Sequence, residues 1–213
     1  MNLVLFGPPG AGKGTQSLII SEKFDIKHVS TGDLLRSAMK AKTPLGVEAG
    51  SFVNKGALVP DSIVIGLIKE LKVQIGKRGM LLDGFPRTTA QAQALDELMA
   101  SDKSQISKAI FLEVKPEFLK DRLTGRRVCS TCGATFHIKL KPPQIAGVCD
   151  NCQGILEQRA DDRAEVIENR LQVYEKNTAP LKTYYQNLKK FVSVDGVGEP
   201  ETIFKRIAQV VYS

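Results

Sequence analysis

Four short apolar runs punctuate the chain: NLVLF (2–6), GMLLD (79–83), AIFLEV (109–114) and FVSVD (191–195). Runs of that length and make-up, bounded by glycine or polar residues, predict strands buried on both faces. Between them apolar positions recur at helical spacing over 13–24, 61–76, 88–100, 116–124, 162–188 and 200–211. Strand alternating with helix predicts an α/β fold, a parallel sheet covered by helices on both faces. Pro180 is expected to break or kink the longest helix, and Asp161 and Asp162 stand at its start as candidate caps.

Two segments depart from this rhythm. Residues 30–59 read as short helices joined at Thr43-Pro44 and Lys55-Gly56, with no strong strand of their own. Residues 125–162 are rich in Gly, Pro, Cys and Thr. Both are predicted to be insertions on one core made of 1–29, 60–124 and 163–213.

Composition narrows the class. The chain has 213 residues, enough for one domain with excursions, and is 42% hydrophobic and 25% charged. No apolar run is long enough to span a membrane, and the first residues carry no basic leader, so a cytoplasmic protein is expected. A net charge of +7 suits nucleic acid, a membrane surface or a polyanionic small molecule. With no Trp and only 6% aromatics, a stacking platform for single-stranded nucleic acid is poorly supported.

The first strand runs straight into GPPGAGKGT (7–15) and then into a helix, the context a phosphate-binding loop requires. Gly7, Gly10, Gly12 and Gly14 let the backbone turn several N–H groups toward one anion at a helix N-terminus, and Lys13 adds a full positive charge. Gly14 separates Lys13 from Thr15, where the commoner pattern has Ser or Thr directly after Lys; this points away from GTPases to a narrower group of kinases. In LLDGFPR, Asp83 ends a buried strand at the sheet edge where α/β folds bind ligands, and offers a hard oxygen for Mg²⁺, directly or through water.

Arg36, Arg87, Arg122, Arg126, Arg159 and Arg170 flank strand ends and segment borders. Phosphoryl transfer spreads negative charge over equatorial oxygens, which planar guanidinium groups meet well. Arg122 and Arg126, four apart, share a helical face if the helix extends that far. The four cysteines, Cys129, Cys132, Cys149 and Cys152, form two Cys-x-x-Cys pairs separated by sixteen residues. That spacing predicts two knuckles closing a tetrahedral metal site with no open position, so a structural Zn²⁺; Fe held by four thiolates is the alternative. Asp150 and His137 are not needed as ligands, and His28 carries no functional signal.

GPPGAGKGT (7–15), STGDLLR (30–36), LLDGFPRT (81–88), DRLTGRRV (121–128) and RADDRAEVIENRL (159–171), in that order, resemble the adenylate kinases over nearly the whole chain. The resemblance implies a P-loop three-layer fold on a five-stranded parallel sheet, with 30–59 as a helical AMP-binding insertion and 125–162 as a small zinc-ribbon-like lid. It implies the reaction ATP + AMP = 2 ADP with Mg²⁺ and a monomeric enzyme that balances adenine nucleotides. Carried over by position, Gly10, Ala11, Gly12, Lys13, Gly14 and Thr15 hold ATP phosphates, Arg122 and Arg126 reach ATP, Thr135 and Phe136 pack near it, and Gly198 meets adenine. AMP is placed against Thr31, Arg36, Ala57, Leu58, Val59, Gly84, Phe85, Pro86, Arg87 and Gln91, with Arg159 and Arg170 closing over the exchanged phosphates. Lys13, Arg87, Arg122, Arg126, Arg159 and Arg170 form the implied catalytic set.

Two other readings stay open. Base choice depends on pocket geometry, so a kinase for another nucleoside monophosphate is the near alternative. A basic zinc-ribbon module for RNA or DNA is the distant one, and it leaves the phosphate loop unexplained.

Overall fold

The computed structural model describes residues 1–76 and 78–212; Lys77 and Ser213, which the sequence pattern assigns to the core, lie outside the described residues. The chain runs β1 (Asn2–Phe6), α1 (Lys13–Lys23), β2 (Lys27–Ser30), α2 (Thr31–Lys40), α3 (Pro44–Val53), α4 (Asp61–Ile75), β3 (Met80–Asp83), α5 (Thr89–Ser101), β4 (Lys108–Glu113) and α6 (Pro116–Thr124). It continues through β5 (Arg126–Cys129), β6 (Thr135–His137), β7 (Leu156–Glu157), α7 (Ala164–Val173), α8 (Leu181–Asn187), β8 (Phe191–Asp195) and α9 (Pro200–Tyr212).

Five strands form one parallel sheet in the order β2-β3-β1-β4-β8. Successive side chains of a strand point to opposite faces, and the core divides accordingly. Val4 and Phe6 join Leu82, Phe111 and the helical residues Ile68 and Leu95 on one face. Leu3 and Leu5 join Leu81, Ile110, Ile20 of α1 and Ile203 of α9 on the other. This is the three-layer arrangement the apolar runs predict. One run departs from its expected burial: FVSVD forms β8 at the sheet edge, where only Val194 is buried and Ser193 and Asp195 are exposed, so it is not covered on both faces. The strand the runs miss is β2: KHVS, at the opposite edge, has Val29 as its one apolar residue, so its pattern is too short and polar to register.

The second sheet is small, antiparallel and ordered β6-β5-β7. Its apolar nucleus comprises Cys129, Phe136, Cys149 and Leu156. In the 30–59 segment, Thr43 caps α3 by accepting from the Gly46 N–H, and Pro44 fills its first turn, where a missing N–H costs nothing. Lys40 at the end of α2 donates to the Ser130 carbonyl in the first cysteine knuckle at 2.9 Å.

The long helix expected over 162–188 is divided. α7 gives way to one π-helical turn, Tyr174–Thr178, and α8 begins after Pro180. A 3₁₀ turn, Ala160–Asp162, precedes α7. Asp161 and Asp162 do not cap α7, whose N-cap is Arg163 with no side-chain hydrogen bond. Their carboxylates turn inward to arginines, a stronger partner for a buried charge than a helix amide. Arg122 and Arg126 share no helical face either, because α6 ends at Thr124 and Arg126 begins β5.

Candidate functional site: a cation-lined cleft above the sheet

The carboxyl ends of β1 and β3 open onto a cavity of about 620 Å³ between the two insertions. After β1 the backbone turns through Gly7, Gly10 and Gly12, with φ of 149°, 85° and 94°, and α1 starts at Lys13. A side chain on Gly10 would press on the Leu119 carbonyl at 3.1 Å, so the tight loop and its packing on α6 both require glycine there. The Lys13 ammonium bends back to the Gly7 and Pro8 carbonyls at 2.8 and 3.0 Å. Burial pulls its pKa down to about 8, with Asp83 pushing the other way and Arg87, Arg170 and Arg126 adding to the fall.

Cations converge on this loop. Arg126 makes a bidentate pair with the Asp162 carboxylate at 2.7 and 2.6 Å, and Arg170 donates to the same carboxylate at 2.7 Å. Asp162 is fully buried, so one carboxylate fixes two guanidinium groups from different elements. Arg170 also meets Asp161, whose carboxyl lies below its ordinary range: burial pushes it up, but Arg170, Arg36, Arg126 and Arg159 outweigh that. Arg36 pairs with Asp33 at 2.6 Å, and Arg159 stands 3.7 Å from the same oxygen. Among the described residues the buried Arg159 Nε has no hydrogen-bond partner, a donor left over for a ligand.

Burial, then Arg170 and Arg36, pull Arg87 down to about 10; burial, then Arg36 and Arg126, do the same to Arg159. Both remain cationic at neutral pH. Buried cations crowded enough to depress one another mark a place built for a polyanion.

The phosphate-loop residues Gly10 to Thr15 line the cavity, as do Arg122, Thr135, Phe136 and Gly198. On the side of the helical insertion Thr31, Ala57, Leu58, Val59, Gly84, Pro86 and Gln91 complete the wall. Phe85 does not line it; its ring is 1% exposed and packs in the core. Thr31 is not a helix cap, since Ser30 caps α2 and the Thr31 hydroxyl donates to the Gly84 carbonyl at 2.8 Å. Arg122 reaches the Gly196 carbonyl at 3.4 Å.

Asp83 lies at the end of β3 facing Gly14, with Oδ2 3.9 Å from the position of an added Cβ, so a hard carboxylate oxygen is offered beside the phosphate loop. That donor fits Mg²⁺. His28, on the neighbouring edge strand, brings Nε2 to 3.5 Å from the same oxygen, and that buried nitrogen has no hydrogen-bond partner among the described residues. The pattern of β2 gave no hint of it.

The four cysteine sulfurs lie within 4.8 Å of one another. Cys129 and Cys152 are 3.5 Å apart and Cys132 and Cys149 are 3.6 Å apart, too far for disulfides. Four sulfurs about 2.3 Å from a central ion would be about 3.8 Å apart, so the cluster is positioned to hold a metal. The Cys132 N–H, helped by that of Thr131 against the upward push of burial, brings the Cys129 thiol down to about 6, toward the thiolate that ligation needs. Asp150 is spoken for by the Gln144 N–H at 2.9 Å. His137 also has both ring nitrogens engaged, Nδ1 by the Lys139 and Leu140 N–H groups and Nε2 by the Asp121 carbonyl.

Residues 5–190 match the family model described as adenylate kinase. The chain belongs to that family. It is 49% identical over 212 residues to an adenylate kinase of Clostridium tetani, covering 99% of this chain and 98% of the relative. It is 50% identical over 208 residues to one of Carboxydothermus hydrogenoformans, covering 97% of each. A third relative, from Syntrophobacter fumaroxidans, is 48% identical over 212 residues, 99% of this chain and 100% of its own length. Among the described residues no helix is long and apolar enough to cross a membrane.

The cleft also depends on acidic residues whose part in it sequence reasoning did not find: Asp33 drew no comment, and Asp162 was read as a helix cap. Asp33 and Asp162 orient the arginines, and their signal was present as STGDLLR and RADDRAE, acidic positions inside basic motifs. Asp61, at the start of α4, accepts from the side chains of Gln91 and Thr88 at 2.6 and 3.0 Å.

Proposed function

We propose that this chain catalyses the reversible, Mg²⁺-dependent transfer of a phosphoryl group from ATP to AMP, giving 2 ADP. The observation that carries the reading is the convergence of Lys13, Arg36, Arg87, Arg126, Arg159 and Arg170 on one cleft between a phosphate loop and a helical insertion. The loop amides and Lys13 take the β- and γ-phosphates of ATP; Arg36 and Arg87 take the phosphate of AMP. Arg126 and Arg170, held by Asp162, and the free donor of Arg159 face the phosphoryl group in transit. Guanidinium groups already oriented need no rearrangement as charge spreads over the equatorial oxygens, which is where the rate gain arises. The acceptor is itself a phosphate anion, so no general base is required. Asp83 and bound water would hold Mg²⁺, which supplies charge neutralisation at the phosphate oxygens.

The same reading makes 30–59 the AMP-binding unit and 125–162 the lid over ATP, each moving on the core of 1–29, 60–124 and 163–213. The ion in the lid is Zn²⁺, since four thiolates in a small segment with a four-residue nucleus favour a structural tetrahedral site. Water excluded by the closed lid protects the phosphoryl group from hydrolysis. The enzyme works as a monomer in the cytoplasm. Coupled assays with ATP and each of AMP, GMP, CMP and UMP test the reading. AMP is expected to be strongly preferred, and equal use of any other monophosphate overturns it.

A further inference from the structure

Gln91, the proposed reader of the acceptor base, is 2% exposed, and its carboxamide is held from two sides. Its Oε1 accepts from the Arg87 backbone N–H at 2.7 Å, and its Nε2 donates to Asp61 Oδ1 at 2.6 Å. A carboxamide turned end for end has the same shape, so only its partners decide which end is nitrogen. Here both partners have a single role. A backbone N–H can only donate, and an ionised carboxylate can only accept. Turning Gln91 round would set donor against donor at Arg87 and acceptor against acceptor at Asp61.

We propose that Asp61 is a positioning residue that fixes which way round the Gln91 carboxamide faces the acceptor base, and so favours adenine over guanine. The proposal rests on the reading of Gln91 as the base reader. With one N–H given to Asp61 and one lone pair given to Arg87, Gln91 keeps one N–H and one lone pair. Adenine offers the complement, an acceptor at ring N1 and a donor at the exocyclic N6. Guanine presents a donor at N1 and an acceptor at O6, the reverse order. In the same pose it meets donor with donor and acceptor with acceptor. Cytosine repeats the adenine order on a smaller ring, so this device does not discriminate against it and ring size must. Asp61 also binds the Thr88 hydroxyl through its other oxygen, at 3.0 Å, and Thr88 caps α5 by accepting from the Gln91 N–H at 3.1 Å. The carboxylate therefore ties the starts of α4 and α5 to the amide it orients.

The test is steady-state kinetics with AMP and with GMP at saturating MgATP, on Asp61→Asn, Asp61→Glu, Gln91→Ala and Thr88→Ala. Asp61→Asn keeps the volume but can present either end of its own amide. It is expected to raise KM for AMP about tenfold, leave kcat within about twofold, and narrow the AMP-to-GMP ratio of kcat/KM about tenfold. Asp61→Glu restores part of that ratio. Thr88→Ala lowers the melting temperature without changing the ratio, which separates a specificity role from a merely structural one. A folded Asp61→Asn with an unchanged ratio overturns the proposal. If Gln91→Ala also leaves KM for AMP unchanged, the base-reader reading fails; if it raises KM, only the role of Asp61 fails. Side-chain amide NMR of the unsubstituted, nucleotide-free protein needs no variant at position 61. One Gln91 carboxamide proton should be shifted downfield and slow to exchange; two protons exchanging equally fast overturn the proposal.

Discussion

The parallel core and the cysteine-bearing segment solve the same problem with different materials. In the core, β1 buries Leu3, Val4 and Leu5 completely, alternate residues feeding separate apolar layers. In the 125–162 segment the nucleus is two cysteines, one phenylalanine and one leucine, with Ile138, Leu140, Ile145 and Ile155 exposed. Apolar burial at about 25 cal/mol per Å² can hold the first and not the second. The contrast teaches that the sheet is stabilised by what it hides from water, whereas the small segment hides little and offers instead four sulfurs positioned to hold a metal and charges at its edges.

Removing one element of each kind tests that division. Leu5→Ala is expected to cost about 4 kcal/mol of global stability, because its side chain is wholly buried and the neighbours collapse only partly. Cys149→Ser, or chelation, should abolish stoichiometric metal binding and speed hydrogen exchange at 126–157 while leaving β1 amides protected. Equal loss of protection in β1 would show that the two regions are not separately held.

Asp162 stands at the seam between them, pairing Arg126 of β5 with Arg170 of α7. Asp162→Asn keeps the shape and removes the charge. A fall of about thirtyfold in kcat/KM, roughly 2 kcal/mol, is expected at nearly unchanged metal content. A variant with full activity would mean that the arginines are oriented by the substrate alone.

The smallest effect is a proton. Burial holds the Lys13 pKa at about 8 in the folded protein, below its ordinary 10.5. A depressed lysine makes the nucleotide-free protein more stable as pH rises across that window, since the unfolded chain binds the extra proton there. Phosphate anions favour the charged form, so ATP binding near pH 8 should take up about half a proton, falling toward zero at about pH 6.5. Calorimetry in two buffers of different ionisation enthalpy measures this. Uptake that persists in Lys13→Met assigns the proton elsewhere.

What could be read directly from residues follows the same division. Three core strands, β1, β3 and β4, announce themselves as apolar runs, because burial on both faces leaves few polar positions to dilute the pattern; β8, at the sheet edge with only Val194 buried, shows through Phe191, Val192 and Val194 instead. The phosphate loop and the cysteine knuckles are legible because local spacing suffices for their chemistry. β2 was not legible, since its four residues, KHVS, include a single apolar one, Val29, whereas the opposite edge strand β8 carries three. Nor were the acidic partners. The pairing of Asp162 with Arg126 spans thirty-six positions and that of Asp61 with Gln91 spans thirty, and nothing local in either stretch specifies the other. The fifth strand and most of the residues proposed to meet nucleotide came from likeness to a family, which carries information about distant contacts that composition and periodicity lack.

The hydrogen bond from Lys40 to the carbonyl of Ser130 joins the helical insertion to the first cysteine knuckle. Its acceptor is main chain, so any residue at position 130 supplies it, and only position 40 is constrained in kind. Substitutions at the two ends will therefore not track one another through descent. A contact between two segments far apart in the chain can in this way persist across a lineage while leaving no paired signature in its sequences.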